Sequence, residues 1–235
     1  MNRGTTRVSG HALAAVTPVL AAGVGVRRGG AWVLRAASFR IAATTAGRTA
    51  AGIAVSSHGE GTAVVDLLAG QARPAHGELR VLGEDMTTTR GRAAVRARVG
   101  VARRAVKPPP AVRIRRLVGR AARPTGLPAS DRDLLAAAIL DRLALAPWAE
   151  VPLRAAPEAI GRKTRLAAAA VHQPDLLLLD SLLDGLAARD VAVLADAIRD
   201  LGRDTAIVAT GRDAGALGLI CDDMLTLAHG IIVRA

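Results

Sequence analysis

Aromatic side chains are nearly missing from this chain: its 235 residues include only Trp32, Trp148 and Phe39, and no tyrosine. Proteins that bind single-stranded nucleic acid stack bases on rings, so that class is disfavoured. Cys221 is the single cysteine, which excludes an intrachain disulfide and fits a reducing compartment. No apolar run reaches the roughly 18 residues of a membrane span. Lysine is scarce as well: only Lys107 and Lys163 stand among 32 basic residues. Against the alanine-rich background, this points to a GC-biased coding sequence. Acid is missing from one long stretch. Between Met86 and Ser130 there is no Asp or Glu, but Arg90, Arg92, Arg96, Arg98, Arg103, Arg104, Lys107, Arg113, Arg115, Arg116, Arg120 and Arg123 all fall there. The other 20 basic residues balance the 20 acidic ones, so this block carries the whole +12 charge. Such a block suits nucleic acid, an anionic membrane face or an acidic partner.

What is present is a hydrophobic half, 51% of the residues, built from Ala, Val and Leu. The length suits one large α/β domain or one domain with a subdomain. Near the N-terminus, Arg3 and Arg7 precede an apolar run, His11–Val26, with some likeness to a secretory signal. Pro18 and Gly23 interrupt that run, which favours a flexible leader over residues 1–21 followed by the first strand. Gly23–Ile41 alternates like two antiparallel strands turning at Arg28-Gly29-Gly30. Arg48–Val55 is a further apolar strand. It runs into Ser56–Gly70, read as a Gly-containing polar loop and then a helix with Val65, Leu68 and Ala69 on one face. A strand, a Gly loop and a helix N-terminus together can cradle phosphate on backbone N–H groups. Gln71–Met86 holds a turn through His76-Gly77 and another strand. Asp131 is placed to cap a helix through Leu134, Leu135, Ile139 and Leu143. A second helix is expected over Gly161–His172.

The stretch that organises the chain is His172–Ala187, HQPDLLLLDSLLDGLA. Four leucines, Leu176–Leu179, bounded by turn residues suit a strand buried on both faces of a parallel sheet. Asp180 at its C-terminal end would face the crevice where α/β proteins bind ligands. Beyond it, Ala188–Leu201 reads as helix, Thr205–Thr210 as strand and Ala214–Ile220 as a short helix. Met224–Leu227 and Ile231–Val233 read as a closing hairpin around His229-Gly230. Each remaining residue of note has an ordinary structural reading. His58 and His76 are loop histidines, His172 sits at a helix C-terminus and His229 in a hairpin turn. Cys221 is a buried small hydrophobe, and Asp184 a turn or cap residue.

From about residue 22 to the C-terminus, the order of elements resembles the ATP-binding subunit of an ABC transporter. The phrases that carry the resemblance are GGAWVLRAASFRI, DLLAGQARPAHGELRVLGED, HQPDLLLLD…DGLAARD and CDDMLTLAHGIIV. It implies an α/β fold: a P-loop NTPase-like ABC cassette with a mixed sheet core, an antiparallel β subdomain and a helical subdomain at about residues 105–170, the whole spanning 22–235. It also implies ATP and Mg²⁺ as ligands, an integral-membrane permease subunit as partner, and a homo- or heterodimer with another cassette. The expected location is cytoplasmic, peripheral at the inner face of the cell membrane.

The family's active-site groups are mostly lost. The P-loop place reads His58-Gly59-Glu60-Gly61-Thr62-Ala63, without its lysine and with an acid that repels phosphate. Val101–Arg104 stands where a glutamine senses Mg²⁺ and water. Ala156–Ile160 reads APEAI in place of the Leu-Ser-Gly-Gly-Gln signature. Ser181 takes the catalytic glutamate position, Ala187 the D-loop aspartate, Gly211 the switch histidine and Arg28 the adenine-stacking aromatic. Asp180, the Walker B aspartate, and Thr62 are kept, so Asp180 is a metal ligand only if Mg·ATP binds. Phosphoryl transfer rests on positioning and charge stabilisation, and losing one such group costs on the order of 10²–10³ in rate. The expectation is a transporter cassette with weak or absent ATP binding and impaired hydrolysis. The alternative is a regulatory module, free of any transporter, using the 86–130 block to hold nucleic acid or another polyanion.

Overall fold

A computed structural model describes residues 17–42, 49–104 and 111–234. The expected strand pair is present as β1 (Val19–Arg28) and β2 (Ala31–Ile41), turning on Gly29 and Gly30, both at positive φ. β1 starts at Val19, inside the stretch assigned to the leader, because Val19 and Ala21 already bury their side chains in the core. Residues 1–16 of that leader lie outside the described residues, as do Arg48 and Lys107. β4 (His76–Val81) pairs with β1, and the two-residue β5 (Glu84–Asp85) completes an antiparallel sheet of order β2-β1-β4-β5.

The second sheet has six strands in the order β10-β9-β3-β8-β7-β6: β3 (Ala50–Ala54), β6 (Val99–Arg103), β7 (Leu176–Asp180), β8 (Ala206–Gly211), β9 (Asp223–Ala228) and β10 (Ile231–Arg234). All neighbours in it run parallel except β10, which closes the edge as an antiparallel hairpin with β9. β7 lies between β6 and β8, and all five of its residues are buried. Its side chains alternate between two cores. Leu177 and Leu179 join the one formed with the helices, and Leu176 and Leu178 the one formed with the antiparallel sheet. The leucine run is unbroken because neither face meets water.

Helices α1 (His58–Leu68), α2 (Thr89–Arg98), α3 (Ile114–Ala121), α4 (Ala129–Arg142), α5 (Glu158–Ala170), α6 (Ala188–Leu201) and α7 (Ala214–Gly218) join the strands. α2 was not anticipated, since its apolar stripe is thin: only Gly91 and Val95 are buried. α4 begins at Ala129, so Asp131 lies in its first turn instead of capping it. Leu134 points outward and is 70% exposed, while Ile139 and Leu143 are buried. α5 lies so close on β6 that a Cβ on Gly100 would come within 2.1 Å of the Ala169 carbonyl oxygen. Only glycine fits there. No helix of the structure is long and apolar enough to cross a membrane, among the described residues.

Candidate functional site

The C-terminal ends of β3, β7 and β8 converge with the start of α1, which is where a parallel sheet presents a ligand crevice. The polar loop expected at the start of Ser56–Gly70 is largely absent, because α1 starts at His58. Ser57 is its N-cap: Ser57 Oγ accepts from the Glu60 amide at 3.2 Å, and Glu60 Oε2 accepts from the Ser57 amide at 3.0 Å. This reciprocal capping box satisfies two N–H groups of the helix end. Glu60 Oε2 also accepts from the Ser56 amide at 2.9 Å and the Ser56 hydroxyl at 2.6 Å. The Ser56 and Ser57 amides at the entrance to α1 are therefore already held by a carboxylate. His58 and Gly59 lie in the first turn, correcting the loop reading of His58. Gly61 is buried, and a Cβ on it would come within 2.9 Å of Thr210 Oγ1.

Asp180 ends β7 and is 4% exposed. Burial pushes its carboxyl above the usual range, opposed by hydrogen bonds from Thr62 and Ser181 and by the Arg103 charge. Arg103, at the end of β6, donates from Nη1 to Asp180 Oδ2 at 3.2 Å. Its Nη2 reaches Asp66 Oδ1 on α1 at 2.5 Å and Gln71 Oε1 at 2.9 Å. The stretch 101–104 thus supplies a counter-charge to Asp180, where the sequence resemblance leads one to expect a glutamine. Arg104 Nη1 lies 2.7 Å from His58 Nε2, and His58 Nδ1 lies 3.1 Å from Ser181 Oγ and 3.3 Å from Asp184 Oδ2. A guanidinium can only donate, so His58 Nε2 is the acceptor and the proton sits on Nδ1.

Asp184 is more than the turn or cap residue expected of it. It is 3% exposed, and its two carboxylate oxygens each accept from the Arg212 amide at 3.1 Å. A Cβ on Gly211 would come within 2.9 Å of Asp184 Oδ1, so Asp184 fills the space that a side chain at 211 would need. Ser181 is buried and carries φ of 54°, a sharp turn in the chain directly after Asp180. Arg162, 3% exposed on α5, ties the turn after β7 to the helix: Nη1 donates to the Leu182 oxygen at 2.9 Å and the Asp184 oxygen at 2.6 Å. Its Nε pairs with Glu158 at 2.8 Å in the first turn of α5 and holds that carboxyl below its usual range. The APEAI segment thus places its central residue, Glu158, in an ion pair at the helix start.

Sequence reasoning missed four residues here: Arg103, Arg104, Arg162 and the capping role of Glu60. Two of these had a signal. Ser57-x-x-Glu60 is the spacing of a capping box, and Glu158 and Arg162 stand at the i,i+4 spacing of a helical ion pair. The contacts of Arg103 and Arg104 depend on strand register and could not be read locally.

On the antiparallel sheet, Arg28 Nη1 donates to the Gly59 oxygen at 3.3 Å, so the residue in the aromatic's place reaches the start of α1. The nearby ring, Trp32, is engaged within the chain: the Arg27 guanidinium lies 4.1 Å over it and His76 stacks at a tilt, 5.3 Å away. His76 is the first residue of β4, not a loop residue, and its Nδ1 lies 2.9 Å from the Gly23 oxygen. His229 does occupy the last hairpin, at φ 52°, and Cys221 is buried. His172 follows α5 by two residues, and burial lowers its pKa. Several arginines of the basic block have partners within the chain, some of them in exposed ion pairs. Arg92 donates to the Met86 and Thr87 carbonyls and Arg96 to Gly70, while Arg98 pairs with Asp175, and Arg113 and Arg115 with Glu150. Arg90, Arg116, Arg120 and Arg123 have no such partner among the described residues.

The residues at this corner do not fit Mg·ATP as they stand. Asp180 is paired with a guanidinium, the Ser56 and Ser57 amides are held by Glu60, and no group of three or more His, Cys, Asp or Glu side chains able to hold a metal occurs among the described residues.

The architecture is that of an ABC-transporter ATP-binding cassette. Solved structures sharing it include cbiO1 from Clostridium perfringens, part of the ABC transporter complex cbiONQ (TM-score 0.79, 15% identity, 92% of this chain and 87% of that one). The dimeric bacterial ABC transporter cassette MJ0796 aligns with TM-score 0.76 at 14% identity, over 92% of this chain and 97% of that one. In sequence, the chain is 31% identical over 178 residues to the methionine import ATP-binding protein MetN 2 of Burkholderia mallei (strain ATCC 23344) and of Burkholderia pseudomallei (strain K96243). That match covers 72% of this chain and 43% of the relatives, so the chain spans less than half of their length. No protein-family model matches. The resemblance read from the sequence, to ABC-transporter ATP-binding subunits, therefore holds in fold and in relatives.

Proposed function

We propose that the chain is an ATP-binding-like subunit of an ABC transporter with little or no ATP hydrolysis of its own. In this reading it works in the cytoplasm at the inner face of the membrane, docked on a separate permease chain and paired with itself or with a competent cassette. The observation that carries the reading is the pairing of Asp180 with Arg103: the kept Walker B aspartate is satisfied by a side chain of its own protein, on an intact cassette scaffold. Losing the lysine contact and the stacking ring should each remove about 1–3 kcal/mol of nucleotide affinity. A micromolar site then falls to roughly millimolar, since each 1.4 kcal/mol is about tenfold.

The expected result is no thermal shift with micromolar Mg·ATP and no magnesium-dependent turnover by the purified chain. Turnover at ordinary cassette rates that vanishes in Asp180→Asn would overturn the reading. Pull-down of a multi-span protein from solubilised membranes tests the permease. The polyanion alternative loses support because so many arginines of the 86–130 block already bind carbonyls and carboxylates of the chain. Duplex binding that weakens steeply with salt would restore it.

A further inference from the structure

Two sets of ligand-binding groups meet at the end of β7, and side chains of the same protein fill both. The first set is oxygen-rich. Asp66 from α1, Asp180 from β7 and the Gln71 carbonyl oxygen all accept hydrogen bonds from the single guanidinium of Arg103. Two carboxylates sharing one positive charge, with a neutral oxygen beside them, form the kind of hard donor set that Mg²⁺ or Mn²⁺ takes. The second set is the pair of amides of Ser56 and Ser57 with the Ser56 hydroxyl, all donating to Glu60 Oε2.

We propose that these two contacts form an autoinhibitory lock, with Arg103 standing in for a divalent cation and Glu60 for a phosphate oxygen. The site is thus closed by resident ions, beyond the loss of its catalytic groups. This deepens the reading of a non-hydrolysing cassette and does not depend on the permease. Physically, a tethered group competes as an effective concentration in the millimolar range or above. A cation or phosphate of millimolar intrinsic affinity therefore cannot displace it. Removing one resident ion should open its half of the site.

The experiment uses the full chain as wild type, Arg103→Gln, Glu60→Ala and the double variant, each first shown to unfold cooperatively. Mn²⁺ is the probe for the first half, followed by the loss of its free resonance signal, and inorganic pyrophosphate the probe for the second, by calorimetry. The wild type is expected to take up neither at millimolar concentration. Arg103→Gln should bind Mn²⁺ at least about tenfold more tightly, the scale of one charged contact, and Asp180→Asn added to it should abolish the gain. Glu60→Ala should gain pyrophosphate binding by a similar factor. Glu60 lies at a helix end, so this variant keeps the proposal testable if Arg103→Gln does not fold.

Wild-type binding as tight as that of the variants overturns the lock, and so do folded variants that bind nothing. A gain in one arm alone overturns the proposal for the other contact. Wild-type ATP turnover and membrane pull-down read the proposed function separately, so the two can fail independently.

Discussion

The interior of β7 and the end of β7 make opposite demands on sequence. Leu176–Leu179 are at most 1% exposed and touch apolar neighbours on both faces. Apolar side chains of similar volume would serve there, because packing is non-directional. One residue further on, Asp180, Ser181 and Asp184 are also buried, but each is held by specific donors. A buried polar group left without a partner is costly. In the proposed reading, a site without its ligands must therefore have its polar groups satisfied from within the chain, as Arg103, Glu60 and the Arg212 amide do here. The scaffold tolerates drift, whereas the corner accepts only replacements that balance charge.

The sharpest way to break that comparison is to damage the interior. Leu178 is 0% exposed, and Leu178→Ala should cost about 2–5 kcal/mol by lost burial and residual cavity. Urea denaturation followed by circular dichroism reads this as a lower midpoint at unchanged slope. A loss below about 1 kcal/mol would mean that β7 is less tightly packed than the structure shows.

A smaller effect is expected from restoring an imidazole at the end of β8. The Cβ of a residue at 211 meets Asp184 Oδ1 at 2.9 Å and Leu217 Cδ2 at 3.5 Å. Gly211→His should therefore destabilise the fold by about 1–3 kcal/mol, the usual cost of overpacking, without creating turnover. Adding Asp184→Ala removes the obstructing carboxylate. The two changes should be strongly non-additive, as expected of residues in contact. Additive losses in a double-mutant cycle would show that Asp184 does not block the position.

The difference between interior and corner also explains what was legible in the sequence. Runs such as LLLLD and TAIVAT carry their fold in composition and length, so β7, β8 and α6 fall where periodicity places them. The departures from the motifs that the resemblance implies were readable too, because absence needs no geometry. What replaced them was not. Arg103 and Asp180 are 77 residues apart and meet only because β6 and β7 pair in a register that puts them side by side. α2 escaped because its pattern is basic, and its arginines bind carbonyls through their ends instead of marking an apolar stripe. The start of α1 was misplaced because glycines at 59 and 61 suggested a loop, whereas the Ser57–Glu60 capping box starts the helix ahead of both.

The smallest expected effect lies away from both regions, in the groove between α2, the end of α3 and α5. There His172 lines a cavity of about 370 Å³ with Arg96, Val99, Ala121, Pro124 and Ala169. Burial lowers its pKa below the usual 6.5, against a hydrogen bond with the Val99 backbone that raises it. A base whose folded pKa is depressed binds fewer protons in the native state than in the unfolded chain. Its contribution to stability is complete above the unfolded value of about 6.5 and falls as pH drops towards the folded pKa. His172 should therefore cost stability between neutral pH and about pH 5.5, against the buried Asp180, whose raised pKa works in the opposite direction. His172→Gln can keep a hydrogen bond to Val99 but cannot titrate, so the loss should shrink in that variant. Urea midpoints at pH 7.5 and 5.5 test it, since both values bracket the titration of an unperturbed histidine. An unchanged pH dependence in His172→Gln would place the acid sensitivity elsewhere.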